Sequence, residues 1–327
     1  MIPFRTHRGL DFTVLGMGCA QLGNLGSEMT DEEAEATVHA AWDAGIRYFD
    51  TAPHYGLGLS ERRLGRALAA YPRDEYVVST KVGRLLVPSP ETAHLRDMDN
   101  LFDVPSDVRR VYDLSRDGVL RSIESSLERL GLDRLDVVYM HDPDDHAEAA
   151  RTTGAQTLST LRDEGVIRAY GAGMNQAGML ADLIEQTDTD IVMCAGRLTL
   201  LEQSSSLRML RLARERGVAV VAAAVYNSGL LARDSVPDRV SYDYADAPRD
   251  IVDRARDIER ICRAQGTTLP SAALQYPLRI PQVVSAVVGM RGTTQVAQAA
   301  ERVTAEIPDD LWGALHAAGH IVEPESI

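Results

Sequence analysis

Short apolar runs alternate along this chain with longer stretches in which apolar residues recur at helical spacing. Eight runs have the β-rich, bounded form of buried strands, at residues 13–15, 46–49, 75–79, 135–140, 168–171, 191–194, 218–222 and 283–288. The stretches between them carry helix start and stop signals. Thr30-Asp31-Glu32-Glu33 has the form of a capping box, in which a hydroxyl and a carboxylate satisfy each other's backbone N–H groups, and predicts a helix ending near Gly45. Ser60 is expected to cap the next helix, with Leu64, Ala67 and Leu68 on one face. Ser115 is expected to cap a third, whose stripe of Leu120, Ile123, Leu127 and Leu130 stops at Gly131. Gly165, Gly217 and Gly266 end three later helices in the same way, glycine being the residue that tolerates a left-handed stop.

Strand–helix alternation repeated this often predicts an α/β fold, and a closed (β/α)8 TIM barrel rather than an open sheet. An open dinucleotide-binding sheet normally carries G-x-G-x-x-G after its first strand. Here Leu15-Gly16-Met17-Gly18-Cys19 supplies two glycines and then departs. The length suits one barrel domain spanning 1–327, with extra helices over 269–281 and beyond Asp309. Residues 82–114, with Pro88, Pro90 and Pro105, make an unusually long connection after the third strand. Long connections in compact domains are commonly functional, and this one is expected to be a loop covering a substrate.

Charge narrows the partners. With 34 Lys and Arg against 48 Asp and Glu, the net charge of −14 disfavours nucleic acid or an anionic membrane as a general partner. No run approaches the length of a membrane span, and Met1 to Leu10 lack the apolar core of a signal peptide. Cys19, Cys194 and Cys262 are odd in number and far apart, which reads as buried reduced thiols in a cytoplasmic protein.

The candidate chemistry lies at three strand ends. Asp50 and Tyr55 follow the second strand, Lys81 the third and His141 the fourth. The C-terminal rim of a parallel sheet is where α/β proteins place their active groups. A free phenol, with a pKa of about 10, is a poor base at neutral pH, and a neighbouring ammonium lowers it. Asp50 is expected to hold Lys81 charged, Lys81 to tune Tyr55, and His141 to direct a substrate oxygen. The set suits proton transfer at an alcohol or carbonyl, with hydride passing to a separate cofactor. The run from His141 to His146 reads as a turn of solvated acids rather than a metal site, and His54 as lining at most.

Those residues, in that order, resemble the catalytic tetrad of the aldo-keto reductase superfamily. Residues 57–68 (LGLSERRLGRAL), 112–131, 136–144 (DVVYMHDPD), 195–203 (AGRLTLLEQ) and 226–232 (YNSGLLA) resemble a bacterial branch containing D-threo-aldose (L-fucose) 1-dehydrogenases and pyridoxal 4-dehydrogenases. The resemblance implies a nicotinamide dinucleotide lying across the barrel mouth. Asn175 would bond its carboxamide, and Asn227, Ser228, Gly229 and Leu230 would line its pyrophosphate. Gly289, Met290, Arg291 and Gln295 would face its adenosine end. The sequence departs from the family pattern: Met174 replaces a common Ser, and Ala195 and Ala223 stand where a Gln and a stacking Tyr are usual, with Tyr226 as a replacement ring. Met290 and Gln295 replace a Lys and an Arg around the 2′-phosphate of NADP. Losing a charge-assisted contact forfeits roughly 1.5–3 kcal/mol, so NAD is the expected preference, with NADP reachable through Arg291. The implied reaction is oxidation of an aldose at its anomeric carbon to a lactone. Pyridoxal or a general aldehyde or ketone is the alternative substrate. Two other classes compete: a lyase forming a Schiff base on Lys81, and a barrel that binds cofactor without turnover.

Overall fold

The computed structural model describes residues 1–239, 241–243 and 245–323, so the last four residues of the expected domain lie outside the described residues. An antiparallel hairpin of β1 (Phe4–His7) and β2 (Leu10–Thr13) comes first. Next come β3 (Leu15–Gly18), β4 (Tyr48–Asp50) and β5 (Val77–Val82). Outside the main sheet, β6 (Arg84–Pro88) pairs antiparallel with β7 (Val108–Tyr112). The parallel series resumes with β8 (Val137–His141), β9 (Ala169–Met174), β10 (Ile191–Ala195) and β11 (Ala219–Ala223). A short ribbon of β12 (Ser241–Tyr242) and β13 (Ala245–Asp246) precedes the last strand, β14 (Val283–Gly289). Strands β3, β4, β5, β8, β9, β10, β11 and β14 close into a barrel in chain order.

All eight expected strands are present, but the first is displaced. Residues 10–13 belong to the N-terminal hairpin, and the barrel strand starts at Leu15. Its Leu-Gly-Met-Gly composition has weak β-propensity, so local pattern did not locate it. The glycines serve packing: a Cβ on Gly16 would lie 2.7 Å from the Tyr48 ring, so the lumen needs the missing side chain there. Leu10 and Phe12 of the hairpin join Tyr48, Val137, Ile191 and Val221 in one buried cluster inside the barrel. The Phe12 ring meets the edge of Tyr48 at 5.0 Å, with the planes near perpendicular.

Two of the three expected caps hold. Thr30 accepts from the Glu33 N–H and the Glu33 carboxylate accepts from the Thr30 N–H, the reciprocal pair that starts the helix Asp31–Asp43. The Ser115 hydroxyl accepts from the Gly118 N–H at the head of Arg116–Leu130, and Gly131 ends that helix in the left-handed region. Ser60 is not a cap. The helix Leu59–Leu68 begins after Gly58, and Ser60 lies inside it, donating to the Cys19 carbonyl at 2.7 Å. The expected loop over 82–114 is instead a structured flap: β6 and β7 form a five-residue ladder, with short 3-10 turns between them. Helices Leu269–Gln275 and Asp309–Ala317 build the second core cluster beside the barrel, with Arg249–Ala264. No helix among the described residues is long and apolar enough to cross a membrane.

Candidate active site

Strand period and barrel register together build the site. Tyr48 and Asp50, Ser79 and Lys81, and Tyr139 and His141 are each two residues apart on β4, β5 and β8. Side chains two apart in a strand share a face, so these six point into the lumen in two stacked layers. The upper layer holds three of the four expected catalytic residues. Lys81 Nζ donates to Asp50 Oδ2 at 2.7 Å, to the Thr51 carbonyl at 3.0 Å and to Tyr55 Oη at 3.2 Å. Tyr55 enters from the turn after β4, held there by close backbone packing: Gly56 has φ 59, and a Cβ on it would lie 2.2 Å from the Gly23 carbonyl. His141 meets the Tyr55 ring edge-on, centroids 5.8 Å apart.

The lower layer is polar and was not anticipated. Ser79 donates to Asp50 Oδ1 at 2.7 Å, and its oxygen is 3.0 Å from the Tyr48 hydroxyl, which is 3.3 Å from that of Tyr139. Because the Ser79 proton is committed to Asp50, Tyr48 must donate to Ser79 and Tyr139 to Tyr48. The carboxylate is thus fixed on both oxygens, by a hydroxyl chain below and an ammonium above. The signal was available in the two-residue spacing.

Electrostatics modify one expectation. Burial pushes the Tyr55 phenol up; the Lys81 ammonium opposes this but does not overcome it, and the pKa stands at about 12. Tyr55 is therefore a protonated phenol at neutral pH, its pKa raised by burial rather than lowered by Lys81 as expected. Burial pulls the Lys81 ammonium down, yet the charge of Asp50, with Tyr55, outweighs it and leaves Lys81 above its ordinary value. A Schiff-base amine must be neutral, so this arrangement opposes a lyase. Burial, reinforced by the Lys81 charge, holds His141 neutral, well below the usual imidazole range. Its Nδ1 is buried and has no protein partner.

The flap adds groups the sequence reading did not single out. Arg110 donates to the His54 carbonyl at 2.8 Å, and Tyr112 to the His141 carbonyl at 3.1 Å. Arg84 pairs with Asp142 at 3.0 Å. Phe102 packs against the rings of His54, at 5.3 Å, and Tyr55, at 6.1 Å. His54 stands 5.4 Å from the His141 ring, and burial together with Arg110, Arg84 and Lys81 lowers its pKa to about 2. Among the described residues no cluster of metal-ligating side chains is present.

Comparison with known proteins agrees with this geometry. A family model described as "Aldo/keto reductase family" matches residues 14–319. The chain belongs to the aldo/keto reductase family. It is an NAD(P)-dependent oxidoreductase. This aldo/keto reductase is 46% identical over 324 residues to a D-threo-aldose 1-dehydrogenase of Pseudomonas sp., covering 98% of each chain. It is 38% identical to a pyridoxal 4-dehydrogenase of Microbacterium luteolum, covering 96% of each. Its fold resembles that of the glycerol dehydrogenase of Gluconobacter oxydans, with a TM-score of 0.78 and 24% identity over 98% of this chain and 96% of that one.

The other half of the aldo/keto reductase rim fits a dinucleotide in part. Asn175 follows β9, the turn 224–230 follows β11, and Gly289 ends β14. In that turn Asn227 and Ser228 have φ of 44 and 56, followed by Gly229 at 87. Asn227 Nδ2 donates to the Gly196 carbonyl at 3.2 Å, while its Oδ1 is buried with no partner, an acceptor that a ribose hydroxyl or an amide N–H would satisfy. Leu230 and Met290 are buried and are not free to line a ligand as expected. The Tyr226 ring packs against both core clusters, 6.0 Å beneath the Arg302 guanidinium, and is not free to stack on a ligand as expected. Arg291 donates to the carbonyls of Ser27 and Glu28, and its N–H donates to Gln295 Oε1 at 2.7 Å.

Proposed function

We propose that this aldo/keto reductase oxidises an aldose at its anomeric carbon to a lactone, with NAD as the preferred cofactor. The reaction type rests on one observation, the Lys81 ammonium within hydrogen-bond distance of both Asp50 and Tyr55. The substrate class follows the aldose named in its 46%-identical relative. Asn175, Asn227, Ser228, Gly229 and Gly289 would hold the dinucleotide, which when bound accepts the hydride from the anomeric carbon. Tyr55 first releases its own proton to solvent, and the phenolate so formed beside the Lys81 ammonium takes the proton of the anomeric hydroxyl. The net change is aldose plus NAD⁺ to lactone, NADH and a proton. His141, neutral, donates to the reacting oxygen and fixes its direction. Lys81 stabilises negative charge on the Tyr55 oxygen, and Asp50 keeps Lys81 charged and in place.

NAD preference is supported by Arg291. Two of its five N–H groups are already committed to the Ser27 and Glu28 carbonyls, which leaves fewer for a 2′-phosphate, whereas NAD asks none of them. The three free, buried thiols suit a reducing compartment, and we place this one-domain enzyme in the cytoplasm. The test is absorbance of reduced nicotinamide with aldoses and pyridoxal, each with NAD⁺ and NADP⁺. Turnover of L-fucose or a related sugar, faster with NAD⁺, is expected. A response to pyridoxal alone would reject the sugar assignment, and equal kcat/KM with NADP⁺ would reject the cofactor preference.

A further inference from the structure

Asp142 directly follows His141 and has φ 42, a conformation that is costly for a residue with a side chain and is characteristic of functional sites. Its Oδ2 lies 3.6 Å from His141 Nε2 and accepts from Arg84 Nη2 at 3.0 Å. Arg84 is the first residue of β6, so the flap itself braces this carboxylate. The Arg84 Nε is buried without a protein partner. The Asp142 side chain keeps 35% of its surface exposed, leaving acceptor positions open to a ligand.

We propose that Asp142, held by Arg84, accepts a hydrogen bond from the substrate hydroxyl on the carbon next to the reacting one. This makes it a specificity-determining residue for 2-hydroxylated substrates. The proposal deepens the aldose reading and rests on the oxidoreductase assignment. Oxygens on adjacent carbons of a sugar lie about a hydrogen-bond length apart. A reacting oxygen held by the His141 imidazole therefore brings its neighbour within reach of a carboxylate 3.6 Å from that ring nitrogen. An ionised carboxylate only accepts and a hydroxyl readily donates, so the pairing is complementary. A substrate lacking that hydroxyl sets a CH₂ or CH₃ group against the carboxylate, which is how a polar site rejects an analogue.

Two substrate pairs separate this proposal from the function it rests on. The first is oxidation of an aldose against its 2-deoxy counterpart. The second is reduction of 2-hydroxypropanal against propanal with NADH, which needs no sugar chemistry. The wild-type enzyme is expected to prefer the hydroxylated member of each pair about 10- to 100-fold in kcat/KM, the value of a hydrogen bond to a charged group. Asp142→Ala should bring both ratios toward parity, and Arg84→Met, which leaves the carboxylate present but unbraced, should lower them partway. Asp142→Leu, which has no acceptor, serves if the alanine variant does not fold. Retention of the wild-type ratios in the Asp142 variants, or a wild-type enzyme without preference in the aldehyde pair, overturns the proposal. Silence toward every aldose with an aldehyde preference that vanishes in Asp142→Ala rejects the sugar reading and leaves the role of Asp142 standing.

Discussion

Removing the Tyr55 hydroxyl takes away the proton carrier while leaving the 2.7 Å Lys81–Asp50 pair in place. Tyr55→Phe is therefore expected to lower kcat about 10²- to 10⁴-fold, the usual share of general acid–base catalysis, with NAD⁺ affinity by fluorescence titration little changed. Normal turnover by the variant would remove Tyr55 from the mechanism. Ser79 poses a subtler question because it is fully buried in the lower layer, beneath Asp50. Ser79→Ala withdraws the donor to Asp50 Oδ1 and breaks the hydroxyl chain to Tyr48. A loss of about 1.5–3 kcal/mol of stability is expected from a lost bond to a charged group. If Ser79 also positions Asp50, the pH profile of oxidation should move as the Lys81–Tyr55 coupling changes. An unmoved profile with only a lowered urea midpoint would make Ser79 purely structural.

At the scale of the element, the flap of β6 and β7 is tied down through Arg110. Its guanidinium pairs with Asp97 at 2.6 Å, both side chains largely buried, and also holds the His54 carbonyl. Arg110→Ala leaves the Asp97 carboxylate with the Asn100 amide but without this cation, and breaking one side of a buried pair costs about 3–5 kcal/mol. That cost should appear locally. Amide exchange across residues 84–112 is expected to accelerate about 100-fold or more with barrel strands unaffected, and KM for the sugar to rise. Unchanged exchange would mean that the flap is held by its apolar contacts, chiefly Phe102 and Val104 against Leu57.

The whole molecule carries a pH dependence because folding withholds two imidazoles from water. His54, at about 2, and His141, also depressed, stay neutral in the native state, while the unfolded chain protonates both below the ordinary 6.5. Groups with depressed native pKa values contribute fully above 6.5, and that contribution is lost as pH falls toward the folded value. Each imidazole should add a slope of about 1.4 kcal/mol per pH unit below 6.5. Urea midpoints at pH 7.5 and 5.5 are expected to fall on acidification, less in His54→Gln and His141→Gln. Equal slopes in wild type and variants would show that these rings accept protons without unfolding.

The amino-acid order by itself determined the number of barrel strands, most helix caps, the three residues of the upper layer and Tyr55 beside them. These depend on local periodicity, on hydroxyl and glycine signals, and on chemistry concentrated at strand ends. It missed the N-terminal hairpin, because Leu15 to Gly18 carry a weak strand signal, and it took an ordered ladder over 84–112 for a loop. The two-residue offset joining Tyr48, Ser79 and Tyr139 to Asp50, Lys81 and His141 is written in the chain, but its meaning needs the closed barrel that turns those faces inward. Only tertiary structure decided that Tyr55 stays protonated, since burial and the Lys81 charge oppose each other and their balance depends on how much water is excluded. It likewise assigned Arg291 to the carbonyls of Ser27 and Glu28 and brought Arg84 to Asp142, 58 positions away. Long-range pairing of this kind leaves no local pattern, because it arises where loops from separate strands converge above one barrel mouth.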